Sequence, residues 1–505
     1  MGKRQFICKI AIKTAIFSLV LVPAVSLAQG EINPENSLVL RLVAQEAVKL
    51  EDLGIEDPGL LQSNPFYFMK NWRRSTQRVF KINPVQKADL ELDFLNEKAA
   101  ELKRLEEILP DNEVALAKAL EMYKENLDRL PALLKSIKED SSNAGVDRLL
   151  NKLLDRSLKH LSLFDVLKLK SDARNKEKLD SLQSRISEII ADTLAYLDSP
   201  ESFRSRFLAV VDQGGGGVFK EFRALERLDR VEDKTPYNSK AREVVLALKE
   251  DLFLKIQMKI GAENLSSTLP AVFQQLPGDA WRRIKVLDEV REYLADSELK
   301  NDLGVIRQLI LELASRSRSI GKSEAERLMN DVENLARLLK EKIVEANLRS
   351  QSTDALFSLS EFNLKQAKDS FGNSQYANAF GQASIAAAAA RNALRQLIDY
   401  GNLENLLRNL KTDFDRISYD SGRNGLTSEN SPELFKLLTS AEKSLANLSD
   451  LKTKNAKPDS IMAVLKDVKA LLLDTEQSLK NLLRKLAEET EAQRASQPLI
   501  QRVLQ

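Results

Sequence analysis

Apolar residues recur at steps of three and four along almost the whole chain, and this constrains the fold more than any other feature. Leu102, Leu105 and Leu109 follow that spacing, as do Leu116, Leu120, Tyr123, Leu127 and Leu130. Such steps bring apolar side chains onto one face of an α-helix turn after turn. Period-two alternation of β-branched residues, the strand signal, is nearly absent. The chain is therefore expected to be all-α. Breaks fall where helices should end: Pro84, Pro110-Asp111-Asn112, Ser141 to Gly145, Ser199-Pro200, Pro236 and Pro277-Gly278-Asp279. Breaks about 15–30 residues apart suit helical hairpins stacked as bundles or a short solenoid.

Later segments fit the same scheme. Residues 354–400 read as one hairpin. Its first helix carries Leu359, Phe362, Ala367 and Phe371, its turn is Gly372-Asn373-Ser374, and its second helix carries Tyr376, Ala379, Ala383, Ala386, Ala387, Ala390, Leu394 and Leu397. Small residues at these steps let two helices approach closely. They echo helix-pair repeats of the tetratricopeptide kind, but with one copy a packed hairpin is the preferred reading. Ile461, Val464, Val468, Leu471 and Thr475, then Leu479, Leu482 and Leu486 after a phase shift, make a coiled-coil-like seam. It can serve packing within the chain or a homo-oligomer. Residues 487–505 are expected to fray.

The N-terminus points outside the cytoplasm. Lys3, Arg4, Lys9 and Lys13 precede a short apolar run from Ala15 to Val22, Pro23 breaks it, and Ser26-Leu27-Ala28 supplies small residues for cleavage. That is the layout of a secretory signal peptide, with a retained membrane anchor as the alternative reading. Cleavage removes Cys8, the one cysteine, and with it any disulfide or thiolate metal site. It also removes four of the 76 Lys+Arg, leaving 72 against 74 acidic residues, a net charge of −2. No basic excess remains for nucleic acid. No later run reaches the roughly 18 apolar residues of a membrane span. The expected organisation is a leader at 1–28, an N-terminal helical segment at 29–64 and a helical domain at 65–213. A second helical unit at 214–350 follows the flexible Gly214 to Gly217 hinge. The Ala-rich hairpin and coiled-coil-like helices occupy 351–490, and a tail 491–505. Val218-Phe219-Lys220 after the glycines is no phosphate loop.

Chemistry-bearing motifs are sparse. His160 is the only histidine, so zinc sites built on two or more are excluded. Inside Leu158-Lys159-His160-Leu161 it reads as a packed or surface side chain. No Gly-x-Ser-x-Gly elbow and no calcium loop occur. A glycosidase needs only two carboxylates, but among 74 acids any pair is uninformative. No catalytic, metal or cofactor residue is assigned. The most suggestive stretch is 65–81, where Lys70, Arg73, Arg74, Arg78 and Lys81 interleave with Phe66, Tyr67, Phe68, Trp72 and Phe80 and no acid. As a surface, Phe66, Lys70, Trp72, Arg73, Arg74, Arg78 and Lys81 would grip anionic lipid headgroups or an acidic wall polymer. As structure, the aromatics would plug the bundle and leave the bases in water, and this second reading is preferred. Both tryptophans precede Arg-Arg, Trp72-Arg73-Arg74 and Trp281-Arg282-Arg283, as a duplicated helical unit would give.

The run Asn64-Pro65-Phe66-Tyr67-Phe68-Met69-Lys70-Asn71-Trp72, with Asn83-Pro84-Val85-Gln86-Lys87-Ala88-Asp89-Leu90 after it, resembles a bacterial domain of unknown function. That domain occurs in secreted, all-helical proteins. Met69 stands for the usual Leu and Asp89 for the usual Glu. Asp155 to Leu161 is similar to a later element of the domain. The resemblance covers residues 58–170, is loose over 219–294, and implies bacterial origin, a helical fold and secretion, with no site residues. The reading is a secreted, non-enzymatic helical scaffold of the bacterial envelope, facing an envelope protein or wall polymer. The alternatives are a peripheral binder using 65–81 and a wall hydrolase using paired carboxylates.

Overall fold

Three helices begin at a side chain that accepts from a free N–H group of the first turn. Asn83 accepts from Val85 N at 2.8 Å with Pro84 next in line. Asn112 accepts from Ala115 N at 3.0 Å and Ser350 from Thr353 N at 3.1 Å. The computed structural model describes residues 48–496, apart from 56, 62–63, 65, 82, 110–111, 140–144, 197–199, 214–218, 238, 264–278, 295–296, 317–319, 347–349 and 455. The expected leader, its cleavage site and the Gly214 to Gly217 hinge lie outside the described residues. Among the described residues the structure is all-α, 88% helical with no strands.

After a single 3-10 turn at Glu51–Leu53, α1 (Tyr67–Phe80) lies on α2 (Pro84–Ile108). α3 (Glu113–Leu127), α4 (Leu130–Glu139), α5 (Val146–Lys170) and α6 (Ala173–Tyr196) close a first bundle around α2. α7 (Pro200–Gln213) leans on α5. The pair α8 (Phe219–Glu232) and α9 (Lys240–Glu263) follows, then α10 (Ala280–Tyr293), α11 (Ser297–Arg316), α12 (Lys322–Ala346), α13 (Gln351–Gly372) and α14 (Tyr376–Gly401). One hydrophobic core runs from Val48 to Leu397 and includes Phe207 and Phe219, on either side of residue 214.

α14 is the axis of the second half, touching α9, α10, α11, α12 and α13. Its buried Ala379, Ala383, Ala386, Ala387, Ala390 and Ala393 have too little side chain to hold neighbours away. The expected hairpin is α13 and α14, and Ser374 takes the left-handed φ of 58° at its turn. The inner face of α13 differs from expectation. Phe362 is exposed; Thr353, Ser360 and Asn363 are buried beside the expected Ala367, while Leu356, Phe357, Leu364 and Phe371 pack partly buried against the core.

α15 (Leu403–Arg423), α16 (Pro432–Thr453) and α17 (Pro458–Ser496) form a separate C-terminal core. The seam of α17 runs through Ile461, Leu465, Val468, Leu472, Thr475 and Leu479, so the steps of four and three continue through Thr475 without the expected phase shift. It packs within the chain, against α15 and α16. Lys469 joins this bundle to the body, 2.7 Å from both Glu250 and Asp399. Burial pushes Asp399 up to about 6, Glu250 adds to the rise, and Lys469 opposes it. No helix among the described residues is long and apolar enough to cross a membrane.

His160 is buried in the first bundle. Its Nε2–H donates to Asn96 Oδ1 at 3.2 Å, and the Tyr123 hydroxyl donates to Nδ1 at 2.8 Å. Burial, with Arg156 and Lys159 nearby, lowers its pKa to about 3. A folded pKa below the unfolded value of about 6.5 means that stability is lost as pH falls below 6.5. As the only histidine, it can be followed directly by NMR. Its imidazole Cε1–H resonance should stay flat from about pH 8 to 4, whereas an exposed ring would titrate near 6.5. A midpoint near 6.5 would contradict the buried placement.

Candidate functional site

α1 reverses the polarity expected of residues 65–81. Phe66 is 61% exposed and Trp72 74%, and Phe68, Met69, Val79 and Phe80 are also exposed. Six of the sixteen exposed large apolar side chains among the described residues thus belong to this one short stretch. At one turn per 3.6 residues, the five on the helix itself share an arc of about 120°. Of the aromatics expected inside, only Tyr67 is buried there.

The bases turn inward instead. Lys70 lies 2.7 Å from both Glu97 and Glu101. Arg74 reaches Glu97 at 2.7 Å and Glu101 at 3.0 Å. Arg78 bonds Glu91 at 2.5 Å and Asn126 at 2.9 Å, and its guanidinium lies 4.9 Å over the Phe94 ring. Arg73 and Lys81 are the two patch bases that remain exposed. The correction has a simple cause. Lys70, Arg74 and Arg78 step by four along α1, and Glu91, Glu97 and Glu101 line the facing side of α2. Two complementary charge stripes dock, and the aromatic face is left outside. Burial pushes the Glu101 carboxyl up, but Lys98, Lys70 and Arg74 outweigh this and hold it below the usual range.

A second constellation joins α8, α9, α10, α12 and α14. Asp229, Glu232 and Glu289 are buried, with carboxylate oxygens within 4.8 Å of one another. That is metal-ligand spacing, but Lys249 Nζ already sits among them, 2.5 Å from Glu232, 3.0 Å from Glu289 and 3.6 Å from Asp229. Arg391, 1% exposed, reaches Glu232 at 2.7 Å, Glu289 at 3.3 Å and Asp331 at 2.7 Å. Arg242 bonds Glu232 at 2.6 Å, and Arg282 bonds Asp229. Burial alone would raise the Glu232 carboxyl, yet Arg391, Lys249 and Arg242 hold it well below its ordinary value. Asp229 is held down likewise, by Lys285, Arg282 and Lys249. Held down in this way, Asp229 and Glu232 are not the raised-pKa acid that glycoside hydrolysis requires.

Beside this network lies a polar cavity of about 610 Å³, walled by α6, α8, α9, α10, α12 and the 233–237 turn. Trp281 stands in its wall. The guanidinium groups of Arg282 and Arg327 lie 4.3 and 4.5 Å from its ring centroid. The sequence reading missed this region. One signal was available: Arg391 follows five consecutive alanines at a position where α14 is otherwise lined with small buried residues.

Comparison with protein-family models, with curated proteins and with solved structures finds no match. Lys98 is 1% exposed and Glu101 is its ion-pair partner at 3.0 Å. Glu101→Gln should destabilise the protein by about 3–5 kcal/mol in urea denaturation, because it strands a buried cation. A loss below about 1 kcal/mol would mean that the inward charges are solvated.

Proposed function

We propose that this protein is a non-enzymatic helical scaffold of the bacterial envelope that attaches to an anionic lipid surface through the outer face of α1. The observation that carries the reading is the polarity of that helix, with aromatics outward and charges inward. A contiguous exposed apolar face on a soluble helical body marks an interaction surface. The charge pattern favours lipid over a protein groove. Residues 58–88 contain no acid, and Arg73, Lys81 and Lys87 are exposed there. Aromatic side chains sink to the acyl boundary, and nearby bases meet anionic headgroups. Each exposed base contributes about 1 kcal/mol at such a surface, and each fully buried aromatic about 1.5–3 kcal/mol. Together these suffice for reversible attachment. The leader-like N-terminus and the resemblance to secreted helical proteins support the envelope as the place of action.

The test is flotation of the protein with phosphatidylglycerol vesicles and with neutral phosphatidylcholine vesicles. Wild type should bind the anionic vesicles, with Trp72 emission shifting to the blue. Phe68→Ser with Trp72→Ser should reduce binding about tenfold or more, as loss of two buried aromatics implies. The melting temperature should not change, since both side chains are exposed. Absence of vesicle binding, or equal binding by the double variant, would overturn the reading. Capture of an envelope protein by the same face would assign the face to a protein instead.

A further inference from the structure

The polar cavity beside Trp281 has an uneven use of its charges. Its five carboxylates are all engaged within the protein. Asp279 is 2.7 Å from Lys168 and 2.9 Å from Arg230, and Asp180 also pairs with Lys168. Asp233 is 3.0 Å from Arg282 and 3.4 Å from Lys285. Asp331 holds Arg391 at 2.7 Å and accepts from the Tyr237 hydroxyl, and Glu324 accepts from Gly321 N at 2.9 Å. On the cationic side the count differs. Lys234 and Arg327, both exposed in the cavity wall, make no ion pair among the described residues. Deeper in the wall, Arg242 is 3% exposed and Arg282 is 5% exposed, and the Nε of each has no acceptor. The wall thus carries six cationic side chains against five carboxylates, and Glu324, capped by Gly321 N, is the carboxylate that feels the charge of Arg327.

We infer that this cavity is a binding site for a small phosphorylated molecule. A phosphate group presents several acceptor oxygens and a charge near −2, which matches the exposed Lys234 and Arg327 in a wall that holds one more cation than carboxylates. A guanidinium is the side chain best suited to hold such an oxyanion, and Arg327 is free to leave its stacked position over Trp281 to do so. The volume exceeds that of phosphate alone, leaving room for a sugar-sized body against Tyr237 and Asn334. Lys234 supplies the second charge from the turn after α8. The site does not depend on α1 or on lipid attachment.

Calorimetry with the full chain tests this, using inorganic phosphate, pyrophosphate and glucose 6-phosphate, with glucose as the uncharged control. Trp72→Phe leaves Trp281 as the one tryptophan, so its emission reports on this cavity alone. Glucose 6-phosphate and pyrophosphate should bind with Kd on the order of 0.1–1 mM, and Trp281 emission should change over the same range. Arg327→Gln and Lys234→Gln should each weaken binding about tenfold, the loss of one charge-assisted hydrogen bond. Arg327→Lys should retain part of it. Circular dichroism melting should change little, because both side chains are exposed and Arg327 has only its stacking on Trp281 to lose. No saturable heat up to about 10 mM would overturn the inference. So would heat without any Trp281 response, or equal affinity in the Gln variants.

Discussion

The buried ion network around Glu232, Lys249 and Arg391 is the constraint on which the second half of the molecule depends. Arg391 of α14 reaches α8, α10 and α12 at once, through Glu232, Glu289 and Asp331. Lys249 of α9 reaches α8 and α10 through Glu232, Asp229 and Glu289. Apolar packing among these helices could tolerate a slip of one residue. Charges without water cannot, because a displaced partner leaves an uncompensated buried ion. The alanine face of α14 allows the close approach, and the network fixes the register. Such a network need not add net stability over an apolar core of the same shape. Its physical effect is to penalise the alternatives.

The two Trp-Arg-Arg stretches show how neighbouring charge decides the fate of an aromatic. In both, an arginine after the tryptophan is buried against acids: Arg74 with Glu97 and Glu101, Arg282 with Asp229 and Asp233. The helix is thereby rotated by its arginines, and the tryptophan goes where the rotation leaves it. Trp72 faces solvent. Trp281 comes to rest in the cavity wall beneath guanidinium groups.

The helices were legible because apolar spacing and helix-stop residues are local. Pro84, Asn112 and the Gly372-Asn373-Ser374 turn mark element ends at or beside the expected positions. The inward charges were not legible from apolar spacing, because a rule that buries apolar residues and exposes charges assigns both faces of α1 wrongly. The steps of Lys70, Arg74 and Arg78, and of Glu91, Glu97 and Glu101, were visible. What the sequence lacks is the statement that these two stripes face each other. The same holds for Glu232, Lys249 and Arg391, which lie far apart in the chain and meet only through tertiary packing. Whether a charge stripe is solvated or paired is a property of two elements, and spacing within one element cannot decide it.

Buried charges, and not apolar packing alone, set the arrangement of α8, α9, α10, α12 and α14. A double-mutant cycle on Glu232→Gln and Arg391→Gln, read by urea denaturation, tests it most directly. The two changes should be strongly non-additive, with a coupling of about 2–3 kcal/mol, because each removes the same ion pair from a dry interior. Additivity to within about 0.5 kcal/mol would contradict it, since independent losses would mean that the two groups do not depend on each other.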